Sequence, residues 1–138
     1  MNSNILNKSE VKKILKRIQD LSILVIGDYF LDKYLYIDPE KSKVSLETGL
    51  EANQVFDKKL EPGAAGTITD NLSSLEVGNI YALGFIGKDG EGYELKQGLL
   101  KKGVNIEHLI ETSDRSTPTY IKPLFKEKVN PRFFLFLM

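Results

Sequence analysis

The 138-residue sequence contains no cysteine and only one histidine, His108. Without cysteine, the chain has no disulfide bonds, no thiolate metal ligands and no cysteine nucleophile. A single histidine with no cysteine to share a ligand set predicts a solvated side chain, not a metal ligand or a member of a Ser/His/Asp relay. We therefore expect no metal site, and the cysteine-free composition fits a reducing, cytoplasmic location.

Long apolar runs and an excess of charge are also missing. The longest apolar runs, residues 23–26 and 133–138, are too short to span a bilayer, so we expect no membrane segment. The first residues contain no apolar core of the kind found in a signal peptide. Lys plus Arg and Asp plus Glu both number 19, and this zero net charge argues against a nucleic-acid partner.

The first third of the sequence predicts a helix and then a strand. Apolar residues recur at helical spacing over residues 8–21, with Asn7 or Ser9 as the cap. Residues 22–27 form a short apolar run that is typical of a strand buried on both faces. The run ends at Gly27-Asp28, which places a carboxylate just past the carboxyl end of a predicted parallel strand. Ligands bind at that edge in open α/β sheets.

The rest of the sequence alternates between strand and helix signals. Residues 33–61 mix aromatic and charged residues without helical periodicity, which predicts two or three antiparallel strands that stand off the main sheet. From Pro62 onward, turn residues separate a helix, a strand, a second helix and two further strands. These elements are predicted at residues 71–75, 80–87, 93–102, 104–109 and 117–125. Asp89, in the turn before the second of these helices, is predicted to be a structural cap.

Two groups of residues are candidates for binding. Asp28 and Asp32 place two carboxylates at the end of the first strand, and each carboxylate accepts two or more hydroxyl donors, which suits a polyol. The alternative is that they are turn or cap aspartates. The turn Pro62-Gly63-Ala64-Ala65-Gly66-Thr67 has almost no side chains, so backbone N–H groups at a helix start are open to a polar or anionic ligand. No GxxxxGK[ST] phosphate-binding loop occurs.

Taken together, these motifs resemble the N-terminal part of a ribokinase-like (PfkB) carbohydrate kinase. The resemblance rests on Gly27-Asp28 with Asp32, on the 62–67 turn followed by Asn71-Leu72, on Gly84 to Gly92, and on Lys102-Gly103-Val104. Residues 117–123 also resemble the strand that follows in that group. The nearest members are the kinase domains of the ADP-heptose synthases. The resemblance covers residues 23–125 and implies an incomplete α/β fold, a three-layer αβα arrangement with a small β-lid.

The resemblance also implies roles for individual residues. Asp28, with Asp32 nearby, would bind sugar hydroxyl groups, and Gly63, Ala64, Ala65, Gly66 and Thr67 would lie against the sugar. Residues 33–61 would form a lid over the sugar and a possible homodimer surface. Two positions depart from the family pattern. Its paired glycines are Gly63-Ala64 here, and Thr67 replaces an asparagine, which keeps a hydroxyl group but loses an amide.

The largest departure is a missing segment. These kinases carry their catalytic base in a C-terminal Gly-Ala-Gly-Asp turn beside the nucleotide site, and the sequence contains no such turn. Residues 126–138 no longer resemble the family, and their apolar end looks like a truncation or frameshift product.

We therefore interpret residues 1–138 as one partial kinase domain that binds a sugar or sugar phosphate. It would contain no catalytic residue and would not bind ATP and Mg²⁺, the family's cofactors, well. The alternatives are a non-catalytic sugar-binding or oligomerisation module and a nonfunctional remnant that folds poorly.

Overall fold

The computed structural model describes residues 6–126. The helices are α1 (Lys8–Ile18), α2 (Ala65–Ser74) and α3 (Gly90–Lys101), and a short 3₁₀ turn covers Pro39–Lys41. The strands are β1 (Ser22–Ile26), β2 (Tyr29–Ile37), β3 (Lys43–Val44), β4 (Glu51–Ala52), β5 (Val55–Ala64), β6 (Asn79–Gly87), β7 (Val104–Asn105), β8 (Leu109–Thr112) and β9 (Thr119–Phe125). Apart from Lys126, the atypical end at residues 126–138 lies outside the described residues.

The described chain divides into two compact units. The first contains the residues up to Leu31 together with Glu61–Pro118, and the second contains Asp32–Leu60 and the residues from Thr119 onward. The boundaries fall inside β2 and β5, so each of these strands begins in one unit and ends in the other. The second unit takes in almost the whole predicted insertion at 33–61.

The first unit is built on a parallel sheet. β6 lies in its centre, with β1 on one side, while β7 and β8 pair with successive parts of its other edge. Helices α2 and α3 pack against this sheet. The core lies between them and is almost inaccessible to solvent; its strand residues include Val25, Ile80, Ala82, Ile86, Val104 and Leu109. The sheet and its two helices confirm the predicted alternation of strands and helices after Pro62.

The structure corrects one prediction about the main sheet. The apolar run of β1 predicted burial on both faces, but only Val25 is fully buried, while Leu24 and Ile26 are exposed. The continuous apolar pattern identified the strand and its parallel pairing correctly. It did not reveal that, within residues 6–126, helices cover only one face of the sheet.

The second unit contains most of the strands outside the main sheet. β3 and β4 form a two-stranded hairpin, and β2 lies between β5 and β9 in a three-stranded sheet. Strands in 33–61 were predicted, and they are present. Thr117 to Phe125 was also predicted as a strand, and Thr119–Phe125 is one, but it joins this second sheet and does not extend the main one.

The helix boundaries follow local capping chemistry. Asn7 caps α1 and forms a reciprocal capping box with Glu10, as one of the two predicted caps would. Helix α2 begins at Ala65, six residues before the predicted helical segment, because the small-residue turn is itself the first turn of the helix. No helix among the described residues is long and apolar enough to cross a membrane.

Candidate functional site

The end of β1 holds Asp28 in a fixed backbone setting. The Gly27 N–H continues the β1–β6 ladder by donating to the Leu83 carbonyl at 3.1 Å. The buried Tyr29 hydroxyl donates to the Val25 carbonyl at 3.1 Å, and burial raises the pKa of Tyr29 to about 12. Asp28 lies between these anchors with an exposed side chain. Its carboxylate has no hydrogen-bond or ion-pair partner among residues 6–126.

The small-residue turn is joined directly to Asp28. The Ala65 N–H, the first of helix α2, donates to the Asp28 carbonyl at 3.1 Å. Gly63 is buried against the Phe30 ring, and a side chain at Gly66 would collide with Pro62. The structure therefore brings five predicted residues, Gly63, Ala64, Ala65, Gly66 and Thr67, next to Asp28 within one unit.

Ala64 has the most unusual backbone conformation in this turn. Its φ of 50° and ψ of −113° lie in a region that favours glycine, because a Cβ atom crowds the backbone there. Ala64 is also the N-cap of α2, and no side chain caps the helix. The first N–H groups of an uncapped helix have no partner within the helix. Because the Ala65 N–H already donates to the Asp28 carbonyl, the N–H groups that follow it in the turn are the ones available to a ligand, close to a carboxylate that has no partner among residues 6–126.

This combination of groups suits a neutral polyhydroxylated ligand. The Asp28 carboxylate accepts hydrogen bonds, and the N–H groups at the start of α2 donate them. A sugar hydroxyl group can do both, so one ligand can satisfy both sets. Thr67 is exposed in the first turn of the helix and adds a hydroxyl group. The only formal charge among these residues is negative, which does not suit a triphosphate.

Asp32 lies in the second unit, where it is paired with a cation. The Lys122 ammonium group on β9 forms an ion pair with the Asp32 carboxylate on β2. The same ammonium group lies 3.3 Å from the Tyr34 hydroxyl and 4.7 Å from the centre of its ring. The hydrogen bond to Asp32 raises the pKa of Lys122. Lys122 and Tyr34 were not predicted from the sequence, because nothing in it indicates that β9 pairs with β2.

Asp89 has the structural role that was predicted. Its carboxylate caps α3 by accepting from the Gly92 N–H at 2.8 Å, and it also accepts from the backbone N–H and hydroxyl group of Thr117, both at 2.7 Å. The buried Thr117 hydroxyl is 2.9 Å from the Gly87 N–H, which donates to it. Asp89 therefore ties the end of β6 and the start of α3 to Thr117. His108 is exposed, as expected.

Comparison with curated proteins finds relatives that carry two names. The chain is 31% identical over 112 residues to the bifunctional protein HldE of Citrifermentans bemidjiense, covering 81% of this chain and 22% of that protein. It is 34% identical over 118 residues to an uncharacterized sugar kinase of Buchnera aphidicola, covering 86% of this chain and 36% of that protein. The chain thus spans between about a fifth and a third of the length of these relatives. No family model matches the chain.

Solved structures of carbohydrate kinases share the fold. A carbohydrate kinase from Agrobacterium tumefaciens superposes with a TM-score of 0.57 at 22% identity, covering 77% of this chain and 32% of the kinase. Arabidopsis thaliana ribokinase, solved with ribose and ATP, gives a TM-score of 0.55 at 18% identity, covering 75% of this chain and 32% of the enzyme. These findings confirm the predicted resemblance: the chain has a ribokinase-like α/β fold and is similar to PfkB-type carbohydrate kinases over about one third of their length.

Proposed function

We propose that this chain is the N-terminal, sugar-binding part of a PfkB-type carbohydrate kinase. Such a kinase transfers the γ-phosphate of ATP to a hydroxyl group of a sugar or sugar phosphate in the cytoplasm. The main support is the Asp28 carboxylate at the carboxyl end of β1, which has no hydrogen-bond or ion-pair partner among residues 6–126, while the Asp28 backbone carbonyl accepts a hydrogen bond from the small-residue turn at Ala65. The relative named as a sugar kinase supports the same class of substrate.

Each candidate residue has a distinct role in this proposal. Asp28 accepts hydrogen bonds from sugar hydroxyl groups, while the turn from Gly63 to Gly66 lets the sugar approach the start of α2. Thr67 contributes a hydroxyl contact. Asp32 supports the site through its ion pair with Lys122, which holds the Asp32 carboxylate in one position. Residues 33–61 are the lid over the sugar and a possible homodimer surface, and both units belong to one kinase domain.

ATP and Mg²⁺ would be held elsewhere in the complete kinase. Solved neighbours include a ribokinase with ribose and ATP and a fructokinase with bound ATP. Asp28 and the turn from Gly63 to Thr67 do not fit a nucleotide, because the only formal charge among them is the Asp28 carboxylate, which would repel phosphate groups. We therefore assign sugar recognition to this chain and no step of phosphoryl transfer.

Calorimetric titration of the purified chain with ribose, fructose and a heptose phosphate tests this function. We expect at least one of these to bind, and we expect Asp28→Ala to weaken its binding at least ~10-fold. A charge-assisted hydrogen bond contributes about 1.5–3 kcal/mol, and ~1.4 kcal/mol corresponds to a factor of ten. The carboxylate's loss should therefore be measurable even if it makes only one such bond.

Asp20→Ala provides the matched control, because Asp20 precedes β1 and Asp28 follows it. The two aspartates lie at opposite ends of the same strand, so removing Asp20 should leave sugar binding unchanged. Equal affinity of the wild-type and Asp28→Ala chains, with an unchanged circular dichroism spectrum, would make Asp28 a turn residue only. No binding of any of the three sugars by the wild-type chain would contradict the proposed function.

A further inference from the structure

Helix α1 carries an apolar stripe that is exposed to solvent. Val11, Ile14, Leu15 and Ile18 recur at helical spacing and form what we call the α1 stripe. Val11 is 39% exposed, Leu15 43% and Ile14 47%, and no residue of α1 is buried. An amphipathic helix of a globular protein ordinarily turns such a stripe toward the core. The α1 stripe is therefore a surface without a covering layer among residues 6–126.

Local contacts hold α1 in place without covering its stripe. The capping box of Asn7 and Glu10 closes the first turn. Just past the other end, the Gln19 side-chain amide donates to the Glu76 carboxylate at 2.9 Å. Isolated helices shorter than ~12–15 residues are marginal in water, and most of the stability of a helix in a protein comes from packing of its apolar face. The 11 residues of α1 would therefore gain stability from a surface that covers the stripe.

The polar side of α1 is strongly basic. The helix contains five basic residues and one acidic residue, Glu10, although the charges of the whole chain balance. Lys8, Lys12 and Lys16 follow each other at intervals of four residues, which places them in one row beside the stripe. None of the five basic side chains has an ion-pair partner among residues 6–126; they are Lys8, Lys12, Lys13, Lys16 and Arg17. The surface that fits α1 is therefore apolar inside and negatively charged at its boundary.

We propose that α1 binds the surface of a membrane that contains anionic lipids. Seven of the 11 residues of α1 are polar or charged. A helix of this composition, with lysines on its polar side, lies in the plane of the lipid head groups and buries its apolar face beneath them. The long lysine side chains beside the stripe reach the head groups while the stripe stays among the acyl chains. This contact differs from a membrane span, for which no described helix is long and apolar enough.

Flotation with lipid vesicles tests this contact. The full 138-residue chain is mixed with vesicles of phosphatidylcholine alone, or of phosphatidylcholine and phosphatidylserine in equal amounts. We expect the chain to float with the anionic vesicles and to bind the neutral ones at least ~10-fold more weakly, because several lysines contribute to the attraction. Added salt should weaken binding to the anionic vesicles, since it screens exposed charges.

Two variants test the stripe and the lysine row separately. Ile14→Asp places a charge in the stripe, and the double variant Lys12→Gln with Lys16→Gln removes two cations beside it. Each should weaken binding to anionic vesicles at least ~10-fold. Ile14, Lys12 and Lys16 are all exposed, so both variants should keep the circular dichroism spectrum of the wild-type chain.

The controls make the same changes outside α1. Ile68 on α2 is 53% exposed, so Ile68→Asp matches Ile14→Asp. The double variant Lys88→Gln with Lys101→Gln removes two exposed lysines that have no ion-pair partner in the described part of the chain. Neither control should change binding to vesicles.

A tryptophan in the stripe reports its burial in lipid directly. The sequence contains no tryptophan, so a Leu15→Trp chain has one tryptophan only. We expect its fluorescence to shift to shorter wavelength when anionic vesicles are added. The corresponding Ile68→Trp chain should show no shift.

Three results would overturn the proposal. The first is that the wild-type chain binds neither kind of vesicle, or binds both equally. The second is binding to anionic vesicles that Ile14→Asp leaves unchanged, which would place the contact elsewhere on the chain or reduce it to charge alone. The third is a homodimer without lipid that Ile14→Asp dissociates, which would make a second copy of the chain the partner of the stripe.

Discussion

Ala64 is the residue whose backbone conformation fits its side chain least well. A non-glycine residue in such a region costs about 1–3 kcal/mol, and strain of this kind is concentrated at functional sites. Ala64→Gly should relieve it, at an added entropic cost of about 0.5–1 kcal/mol in the unfolded chain. We expect a net increase of about 1 kcal/mol in the free energy of unfolding, measured by urea denaturation.

Ala65→Gly is the control for this effect. Ala65 is the next residue, but it has a helical conformation and is buried, so glycine there should lower the free energy of unfolding by up to ~1 kcal/mol. If Ala64→Gly destabilises the chain as much as Ala65→Gly does, the strain assigned to Ala64 is absent.

Asp89 should make the stability of the first unit depend on pH. Partial burial tends to raise the pKa of Asp89, but the hydrogen bonds from Thr117 and Gly92 outweigh it and lower the pKa below its ordinary value of 3.8. A carboxyl group whose pKa is lower in the folded state adds stability above its unfolded pKa. That stability is lost as the pH falls through the folded pKa.

We therefore expect the free energy of unfolding to fall as the pH is lowered from 7 to below 3.8. Asp89→Asn should be less stable at pH 7 and should lose less stability over the same range. Thr117→Val removes the hydroxyl donor but keeps the backbone N–H donor, so its pH dependence should be intermediate. Parallel pH profiles for wild type and Asp89→Asn, measured by urea denaturation, would exclude Asp89 as the source.

At the level of elements, β2 and β5 meet in a close contact between Phe30 and Gly63. A Cβ atom on Gly63 would overlap the Phe30 ring, so the aromatic ring occupies the place of a side chain. Gly63→Ala should therefore lower the free energy of unfolding by about 1–3 kcal/mol through overpacking. Adding Phe30→Ala should restore part of this loss, since the two changes share one space. A double-mutant cycle by urea denaturation measures the coupling.

Gly90→Ala is the matched glycine control. Gly90 begins α3, and a Cβ atom there would meet nothing within 4 Å, so this change should have little effect on stability. Additive effects of Gly63→Ala and Phe30→Ala in the cycle would show that the two residues do not compete for space.

Local patterns predicted the elements better than the contacts between them. The capped, periodic helix at 8–21 and the cap at Asp89 depend on residues close in sequence, and the structure contains both. The second face of β1 and the place of β9 depend on partners far along the chain. An apolar run such as residues 22–27 has the same sequence pattern whether one face of the strand is covered or both are. These features were therefore the ones that were wrong or could not be predicted.

In the candidate site, too, local features could be predicted and long-range contacts could not. The position of Asp28 after a parallel strand and the small side chains of the turn were readable from the sequence. The unusual φ of Ala64 could not be predicted, because alanine ordinarily avoids that region and only a glycine in the sequence would have indicated a positive φ. The pairing of Asp32 with Lys122 was also hidden, since 90 residues separate them and a β-sheet brings them together.

For the molecule as a whole, the question is which steps of the proposed kinase reaction this chain can carry out alone. Phosphoryl transfer depends on positioning and on electrostatic stabilisation of the moving group, with a base or positioning residue for the nucleophile. The sequence has neither a Gly-Ala-Gly-Asp turn nor a P-loop. Under the proposed function, sugar recognition and catalysis would therefore be separable, and these 138 residues would carry only sugar recognition.

We accordingly expect the isolated chain to have no measurable sugar kinase activity. General base catalysis alone contributes ~10²–10⁴-fold, and loss of the nucleotide site removes the positioning term as well. A coupled assay for ADP release, with hexoses, pentoses and heptose phosphates as acceptors, should match the rate without protein. ATP-dependent phosphorylation by the isolated chain would contradict this division, because it would place a base and a nucleotide site within residues 1–138.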